Sequence, residues 1–365
     1  MVVLMAFLPA AFASQSFYLV QTSFNQLPRW DADQQSQALL AFDQSCQEIM
    51  KRNPAHHFGH LRESGEAFKW QRACVAAGTL GKTSDTKARA FFEHWFVPYA
   101  VKRSGARGLF TGYYLPLLRG SLVRTAHYNI PVYGLPYHVE KRSWLSRFFH
   151  FGRNNQHIYP DRIAIENGAM AHRAPVLFWV DNPIDLFFAQ IQGSAKVVFA
   201  NGESVLLGYA GDNGHTYFPI GRVLVEKYGI DKNTISMQSI RNWLYGHPNQ
   251  AESVLNSNPS YVFFRILRQS DPVGTEDVML TPRRSLAIDT AYLPLGAPIW
   301  VNTAIPYDIA THTYQRYRHL LIAQDTGGAI KGPIRADIYW GSGREANFLA
   351  GNMKSPGEYW VLLPR

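Results

Sequence analysis

From about Gly108 onward, the chain consists of short apolar runs that Gly and Pro interrupt every few residues. Runs of this length, bounded by such residues, are typical of β-strands. In about the last 90 residues they follow one another without helical spacers, which favours a compact β-barrel over a parallel α/β sheet. The strands predicted there are residues 285–288, 298–302, 320–323, 335–339 and 359–363.

The middle of the chain combines predicted strands with two predicted helices. Strands are expected over residues 175–180 and 186–191. Asn201–Gly202 lies between two further apolar runs and predicts a hairpin with a tight type I′ turn. Helices are expected over about residues 220–227 and from Ser236 onward, because each apolar stripe there has helical spacing and a stop or cap signal.

The N-terminal portion is predicted to be helical. Asp33 is a candidate N-cap for one helix, and Ser84 or Asp85 for another. Cys46 and Cys74 each fall in one of the predicted helices. In an exported protein they would form a disulfide between two helices, and a pair of inert buried thiols is the equally weighted alternative.

Residues 1–13 have the apolar character and the small-residue ending, Ala11-Phe12-Ala13, of a secretory signal, but no basic region precedes them. Export is the favoured interpretation, and a buried N-terminal segment is the alternative. No cysteine follows the cleavage position, so a lipoprotein anchor is not expected.

The net charge of +9 is concentrated in one block. Between Lys102 and Arg173, eleven Lys and Arg residues stand against three Asp and Glu residues. Such a surplus suits a polyanionic partner, either nucleic acid or an anionic wall polymer, and a merely solvated basic surface is the alternative. The export signal argues against nucleic acid. Two cysteines and the absence of an H-E-x-x-H motif give no reason to expect a metal, and no cofactor is predicted.

Two carboxylates stand among apolar residues and glycines in the segment 320–343, namely Asp325 and Asp337. Two antiparallel strands joined by the intervening glycine-rich turn would bring both to one end. Close carboxylates repel, so one of them tends to hold a proton, which is the state that a general acid needs. The apolar residues 338–340 should exclude water and raise the pKa of Asp337. The alternative is that both acids cap turns.

A third acid, Asp289, follows the predicted strand 285–288 and is interpreted as structural. Asp325-Thr326-Gly327 also matches the D-T-G triplet of aspartic proteases. Those enzymes use two such aspartates that share a proton, and this chain has one copy, so a protease is a minor alternative.

Two polar and aromatic clusters, residues 110–116 and 187–196, are typical of a sugar-binding groove, in which rings stack on pyranose faces and amides bind hydroxyls. Strand alternation would put Gln190, Gln192 and Ser194 on one face. A solvent-facing polar edge is the alternative. The candidate substrate-binding residues are Thr111, Tyr113, Gln190, Gln192, Ser194 and Lys196.

Together, these segments resemble the membrane-bound lytic transglycosylase A family, the MltA-type peptidoglycan lyases. The resemblance covers the chain from about residue 105 to its end and depends on several strings in order. These strings are Thr111-Gly-Tyr-Tyr, Phe188-Ala-Gln-Ile-Gln-Gly-Ser194, Gly208-Tyr-Ala-Gly-Asp-Asn-Gly-His-Thr-Tyr217, residues 235–244, residues 258–264, Leu280-Thr-Pro-Arg-Arg-Ser-Leu-Ala-Ile-Asp289 and Ala323-Gln-Asp-Thr-Gly-Gly-Ala-Ile-Lys-Gly332.

The resemblance implies a mainly β fold with N-terminal helices, in which a double-psi β-barrel domain is interrupted by a second, mostly β domain, with a glycan groove between them. The expected boundaries are 14–115 for the helices and first part of the barrel, 116–270 for the inserted domain and 271–365 for the rest of the barrel. This last part looks like the module named for three aspartates.

By this likeness the three aspartates are Asp289, Asp325 and Asp337, and Asp337 is the single catalytic acid/base. Asp325 is the supporting neighbour, with Asp289 and Lys331 in supporting positions. Leu115 stands where the family pattern leads us to expect an acid, so one polar groove contact is in doubt.

The implied activity is cleavage of the β-1,4 bond between N-acetylmuramic acid and N-acetylglucosamine of peptidoglycan strands, with formation of a 1,6-anhydro end. Together with the export signal, the resemblance implies a monomer in the periplasm, with peripheral association with the outer membrane or a cell-wall complex as a further option. Two alternatives remain. One is a peptidoglycan hydrolase in which Asp325 activates water, and the other is a wall-binding protein without catalytic activity.

Overall fold

The structure is a computed structural model that describes residues 17–103, 108–137, 159–232, 234–268, 272–308 and 313–365. The predicted signal segment and part of the basic block lie outside these residues. No helix in the described part of the chain is long and apolar enough to cross a membrane.

The described residues form two β-sheets and a set of helices. The strands are β1 (Phe17–Gln21), β2 (Phe96–Arg103), β3 (Gly108–Leu115), β4 (Leu117–Ser121), β5 (Ile130–Tyr133), β6 (Val176–Val180), β7 (Ser194–Val198), β8 (Ser204–Asp212), β9 (Val262–Leu267), β10 (Ser285–Ile288), β11 (Pro298–Asp308), β12 (Thr313–Asp325), β13 (Arg335–Ser342) and β14 (Lys354–Pro364). The helices are α1 (Gln35–Ile49), α2 (Ala67–Leu80), α3 (Asp85–Trp95), α4 (Arg162–Ala164), α5 (Pro183–Gln192), α6 (Gly221–Tyr228), α7 (Met237–Gly246), α8 (Pro248–Leu255) and α9 (Gly343–Asn352).

The larger sheet closes into a six-stranded barrel. Its strand order is β14-β11-β12-β10-β13-β3, and β3 pairs back to β14. Strands β2 and β1 extend the sheet beyond β14. The predicted compact β-barrel is therefore confirmed, and all five strands predicted for the C-terminal part are present. Helix α9, between β13 and β14, was not predicted.

The smaller sheet has the order β5-β6-β4-β7-β8-β9 and lies between residues 117 and 267 of the chain. A single parallel bridge between Gly134 and Phe264 brings its two ends together. Its apolar side chains form a core of their own, separate from that of the barrel. The strand predicted at 175–180 and the two helices predicted after residue 219 are confirmed.

One strand prediction is wrong: the segment predicted as a strand at 186–191 lies in helix α5. Its apolar run is too short to distinguish a strand from a helix, and the flanking residues decide. Asn182 caps the helix through bonds to two backbone N–H groups, Pro183 stands in its first turn, and Gly193 ends it with φ 74°. Because residues two apart on a helix face different ways, Gln190 and Gln192 do not share a face.

The hairpin at Asn201–Gly202 is confirmed, but the predicted turn type is wrong. The loop has three residues, and Phe199 pairs with Glu203 through an N–H···O bond of 2.9 Å. Of the two predicted turn residues, Gly202 alone has a positive φ, 86°. A type I turn closed by one left-handed glycine satisfies this loop length, whereas a type I′ turn needs two residues with positive φ.

The N-terminal helices pack on the outside of the barrel, with α1 against β12. A disulfide joins Cys46 to Cys74 and thereby α1 to α2, which settles the alternative left open by the sequence. Ser84 caps α3 by accepting a hydrogen bond from the backbone N–H of Lys87, as predicted.

Asp33 does not cap α1, whose N-cap is Gln34. The Asp33 carboxylate is fully buried and accepts hydrogen bonds from both terminal nitrogens of Arg284, at 2.9 and 3.0 Å, and from Nδ1 of His319 at 2.6 Å. Burial by itself would raise the pKa of Asp33, but the bonds from His319 and Arg284 outweigh it, and the pKa is lowered. A partner with a full positive charge stabilises a buried carboxylate more than a helix N-terminus does.

We expect Asp33→Ala to lower the free energy of unfolding by about 3–5 kcal/mol, because it leaves the Arg284 guanidinium buried without its anion. Gln37→Ala, in the first turn of α1, is the matched control, since Gln37 is exposed and its contact with Arg284 is long, at 3.4 Å. Urea denaturation measures both.

The stabilisation by Asp33 should also depend on pH. Its pKa is lower in the folded chain, so the stabilisation is present above the unfolded value near 3.8 and is lost as the pH falls through the folded value. If Asp33→Ala and Gln37→Ala were equally stable at neutral pH, this role for Asp33 would be wrong.

Candidate active site

Strand β10 brings the two predicted acids together. Its residue Ala287 pairs with Asp325 of β12 on one side and with Asp337 of β13 on the other. Residues in register on adjacent strands project to the same face of a sheet, and two strand spacings separate the two backbones by about 10 Å. The expected hairpin between β12 and β13 is therefore wrong: β10 lies between them, and tertiary pairing juxtaposes the acids.

A β-bulge aims Asp325 into the site. Leu286 pairs with Ala323, but the next residue, Ala287, pairs with Asp325, so Gln324 is the extra residue of β12. In a regular register Ala287 would oppose Gln324, and Asp325 would project to the other face. Bulges of this kind commonly redirect a side chain next to a functional site.

The Asp325 carboxylate is held by four hydrogen bonds. Its Oδ1 accepts from the backbone N–H of Thr275 at 2.9 Å, from the Thr275 hydroxyl at 2.7 Å and from the backbone N–H of Thr326 at 2.9 Å. Its Oδ2 accepts from the Tyr113 hydroxyl at 3.0 Å. Burial raises the pKa of Asp325, and the hydrogen bonds offset part of that effect.

Asp337 has a different environment. Among the described residues, Thr111 donates the hydrogen bond to its Oδ1, at 2.6 Å. Burial raises the pKa of Asp337 to about 6, although Arg335 and the Thr111 hydroxyl lower it, and the nearby Asp325 adds a further upward effect. The side chain remains half-buried, so a ligand can reach it.

The apolar residues that follow Asp337 along β13 lie in the interior, and their shielding of the carboxyl stays a prediction. Ile338, Tyr339 and Trp340 are all buried, with exposures of 0%, 2% and 4%. The sequence predicted an elevated pKa for Asp337, and burial raises the pKa of this carboxyl in the structure. A carboxyl group with this pKa carries its proton in mildly acidic solution and loses it near neutrality, which is the range useful to a general acid.

Strand β3 supplies the hydroxyl groups that contact both acids. It runs parallel to β13, with Thr111 opposite Asp337 and Tyr113 opposite Tyr339. Gly112 lies between them because a Cβ there would come within 2.3 Å of the Trp340 indole nitrogen. Thr111 and Tyr113 were predicted to bind substrate, and in the structure their hydroxyls donate to the two carboxylates.

Asp289 and Lys331 lie at the edge of this site. Asp289 is 7% exposed at the end of β10 and accepts hydrogen bonds from the backbone N–H groups of Ala291, at 3.1 Å, and Gly332, at 2.7 Å. It thereby ties the end of β10 to the loop before β13, which fits the structural interpretation. Lys331 is exposed on the same loop. The hydrogen bonds described for Asp325 come from Thr275, Thr326 and Tyr113.

The predicted sugar-binding residues of the second domain are not arranged as one strand face. Gln190 is 4% exposed and lies beside Tyr261 in the interior. Gln192 lies at the end of α5, where its Oε1 accepts a hydrogen bond from the backbone N–H of Tyr114 at 3.1 Å. Ser194 and Lys196 lie on β7, half-buried and exposed respectively.

Thr275 is the site residue that sequence reasoning missed. It lies in a tight turn that Gly274 begins and that Asp277 closes, by donating its backbone N–H to the Gly274 carbonyl at 3.0 Å. A Cβ on Gly274 would come within 2.3 Å of the Gln324 carbonyl, so glycine lets this turn approach β12. The turn-forming residues were a usable signal, but the sequence did not indicate which strand the turn would contact.

Comparisons with known proteins agree with this fold. The model of the MltA specific insert domain matches residues 109–265, and that of the 3D domain matches residues 284–363. The chain is 33% identical over 255 residues to membrane-bound lytic murein transglycosylase A of Escherichia coli K12, and 31% identical over 256 residues to that of Vibrio cholerae. These matches cover 69% and 70% of this chain but 65% of each relative. The chain belongs to the membrane-bound lytic murein transglycosylase A family.

Solved structures support the same assignment. A membrane-bound lytic murein transglycosylase from Agrobacterium tumefaciens aligns with a TM-score of 0.81 and 31% identity, over 95% of this chain and 98% of that one. MltA from Neisseria gonorrhoeae, in its monoclinic form, aligns with a TM-score of 0.78 and 32% identity, over 95% and 93% of the two chains. E. coli MltA with bound chitohexaose aligns with a TM-score of 0.67 and 27% identity, over 96% and 95%.

We expect Thr275→Val to raise the pKa of Asp325 further, because it removes the hydroxyl that stabilises the ionised carboxylate. A hydrogen bond to a charged group is worth about 1.5–3 kcal/mol. Thr275→Ser keeps the hydroxyl and should leave the titration of Asp325 near that of the unsubstituted protein. Carbon-13 NMR titration of labelled aspartate carboxyls makes the comparison, and identical titrations in the valine and serine variants would contradict it.

Proposed function

We propose that the protein is a lytic transglycosylase that cleaves the β-1,4 bond between N-acetylmuramic acid and N-acetylglucosamine, with Asp337 as its single acid/base. One observation carries the proposal: Asp337 is half-buried, is bound by the Thr111 hydroxyl at 2.6 Å, and has its pKa raised by burial to about 6. A glycosidic oxygen is a weak base, so bond cleavage needs a proton donor that is neutral when it meets the substrate.

In the proposed reaction, protonated Asp337 donates its proton to the glycosidic oxygen, and the C1–O bond breaks as the sugar becomes oxocarbenium-like. Ionised Asp337 then accepts the proton of the C6 hydroxyl of the same muramoyl residue. The C6 oxygen forms a bond to C1 and closes the 1,6-anhydro ring. The carboxyl ends with its proton restored, and no water is consumed. Because the nucleophile is already tethered to the substrate, a second carboxylate is not required.

The contacts of Asp325 favour a supporting role over that of a water-activating base. Four hydrogen bonds from Thr275, Thr326 and Tyr113 fix its position, and three of them fall on Oδ1. Its negative charge raises the pKa of Asp337. The hydrolase alternative would place the water on Oδ2, which already accepts the bond from the Tyr113 hydroxyl. A contact in which Lys331 holds the Asp325 carboxylate stays a prediction.

We infer that the glycan lies in a groove between a double-psi barrel, comprising residues 14–115 and 271–365, and the domain inserted at 116–270. The strand that contacts both acids, β3, leads directly through Pro116 into the second sheet. There the backbone N–H of Lys196 donates to the Pro116 carbonyl at 2.8 Å. This continuity would keep Ser194 and Lys196 close to the end of β3. The related E. coli MltA, which has a solved structure with chitohexaose, supports a β-1,4-linked amino-sugar ligand.

We further propose a cell-envelope location. The curated relatives are named membrane-bound murein transglycosylases, and their substrate lies in that compartment. The disulfide between Cys46 and Cys74 fits an oxidising environment of the kind that exported proteins meet.

We expect Asp337→Asn to reduce the release of anhydromuropeptides from purified sacculi by at least about 10²–10⁴-fold, because an amide cannot donate and recover the proton. Asp31→Asn is the matched control at an exposed position in the N-terminal region and should be fully active. Mass spectrometry of the fragments separates the candidate functions. Products heavier by one water would indicate a hydrolase, and sacculus binding without soluble fragments would indicate a binding protein.

The pH dependence of the reaction should follow the protonation of Asp337. With a pKa of about 6, the protonated fraction falls about tenfold for each pH unit above that value. We therefore expect turnover to be highest below pH 6 and to decline above it. Arg335 lowers the pKa of Asp337, so Arg335→Gln should move the decline to higher pH. An unchanged profile in that variant would argue against Asp337 as the titrating acid.

A further inference from the structure

A buried polar cluster connects the helical layer to the candidate active site. Glu276 is 6% exposed, and its Oε2 accepts a hydrogen bond from the Ser45 hydroxyl of α1 at 2.6 Å. Gln324, the bulge residue of β12, is fully buried. It donates to the Ala41 carbonyl at 2.8 Å and to Ser45 Oγ at 3.0 Å, and it accepts from the Ser285 hydroxyl at 2.5 Å.

The turn that carries Thr275 and Glu276 contacts Asp325 on one side and helix α1 on the other. Thr275 donates twice to Asp325, through its N–H and its hydroxyl. The next residue, Glu276, directs its side chain the other way, onto Ser45 of α1. Its backbone N–H donates to the Gln324 carbonyl at 3.1 Å. Displacing Glu276 would therefore displace its neighbour Thr275.

Burying a glutamate destabilises the folded protein unless its carboxyl is bound or neutral, because burial disfavours its charged form. Here burial raises the pKa of Glu276 to about 8, although the Ser45 hydrogen bond lowers it somewhat. The charged groups that face it are Arg52, which lowers the pKa, and Glu48, which raises it. Lys51 lies beside Glu48, and Asp277 follows in the turn.

The Glu276 carboxyl fills a narrow space between Gly296 and helix α1. A Cβ built on Gly296 would lie 2.8 Å from Oε1 of Glu276, so a glycine in the left-handed conformation leaves the space that the carboxyl fills. On the other side, α1 presents the Ser45 hydroxyl. The shape and the polar contacts are thus built for a carboxyl or a group of the same shape.

We propose that Glu276, anchored on Ser45 and Gln324, is a positioning residue that holds the Thr275 turn so that its two donors stay on Asp325. The catalytic consequence of this role rests on the proposed function. The effect of Glu276 on the pKa of Asp325 does not depend on catalysis. When the turn loosens, Asp325 loses hydrogen bonds that favour its charged form, so its pKa rises. The repulsion that Asp325 exerts on Asp337 then weakens, and the pKa of Asp337 falls.

The test compares Glu276→Ala with Glu276→Gln, which preserves shape and mimics the neutral carboxyl. Leu39→Ala is the matched control. Leu39 is 2% exposed on α1, the helix that carries Ser45, so truncating it leaves a cavity in the helical layer and removes no member of the polar cluster. Carbon-13 NMR titration of the aspartate carboxyls is measured on all three folded variants, together with kcat and KM for the release of anhydromuropeptides from sacculi.

We expect Glu276→Ala to raise the pKa of Asp325, to lower that of Asp337 and to reduce kcat by about tenfold to a hundredfold with little change in KM. Glu276→Gln should match the unsubstituted protein below pH 8, and Leu39→Ala should lose stability with both titrations unchanged. Titrations in Glu276→Ala equal to those in Leu39→Ala would overturn the proposal. If the titrations shift as expected but no form of the protein releases anhydro products, the positioning role stands and the proposed function fails.

Discussion

The site depends on the pairing of one four-residue strand. Because β10 lies between β12 and β13, its residue Ala287 has Asp325 on one side and Asp337 on the other. The bulge at Gln324 then sets which face Asp325 occupies. Without that extra residue, the two carboxyls would project to opposite faces of the sheet and could not influence each other's protonation.

The two carboxyls have different surroundings, and the difference supports the different roles proposed for them. Asp325 is stabilised by four donors from three elements, whereas the described bond to Asp337 comes from Thr111. Burial raises the pKa of both. Hydrogen bonds to the charged form oppose that effect more at Asp325, and the negative charge of Asp325 raises the pKa of Asp337 further.

The helical layer is bound to the barrel by buried polar contacts as well as by apolar packing. Asp33 binds Arg284 near the start of α1, and Ser45 binds Glu276 further along the same helix. Separating either pair would leave a buried polar or charged group without its partner, so each contact fixes the position of the helix on the barrel. The second contact reaches a turn that touches Asp325, which makes the helical layer part of the proposed acid site.

The sequence by itself determined the mainly β character, the C-terminal strands, the cap at Ser84 and the buried apolar run after Asp337, because these depend on residues close to one another along the chain. It could not separate helix from strand at residues 186–191, since a short apolar run fits both until the flanking caps are weighed. Only the tertiary structure decided that β10 separates β12 from β13, that Thr275 binds Asp325 and that Asp33 pairs with Arg284. Those contacts join residues tens to hundreds of positions apart, and no local pattern encodes which partner each will meet.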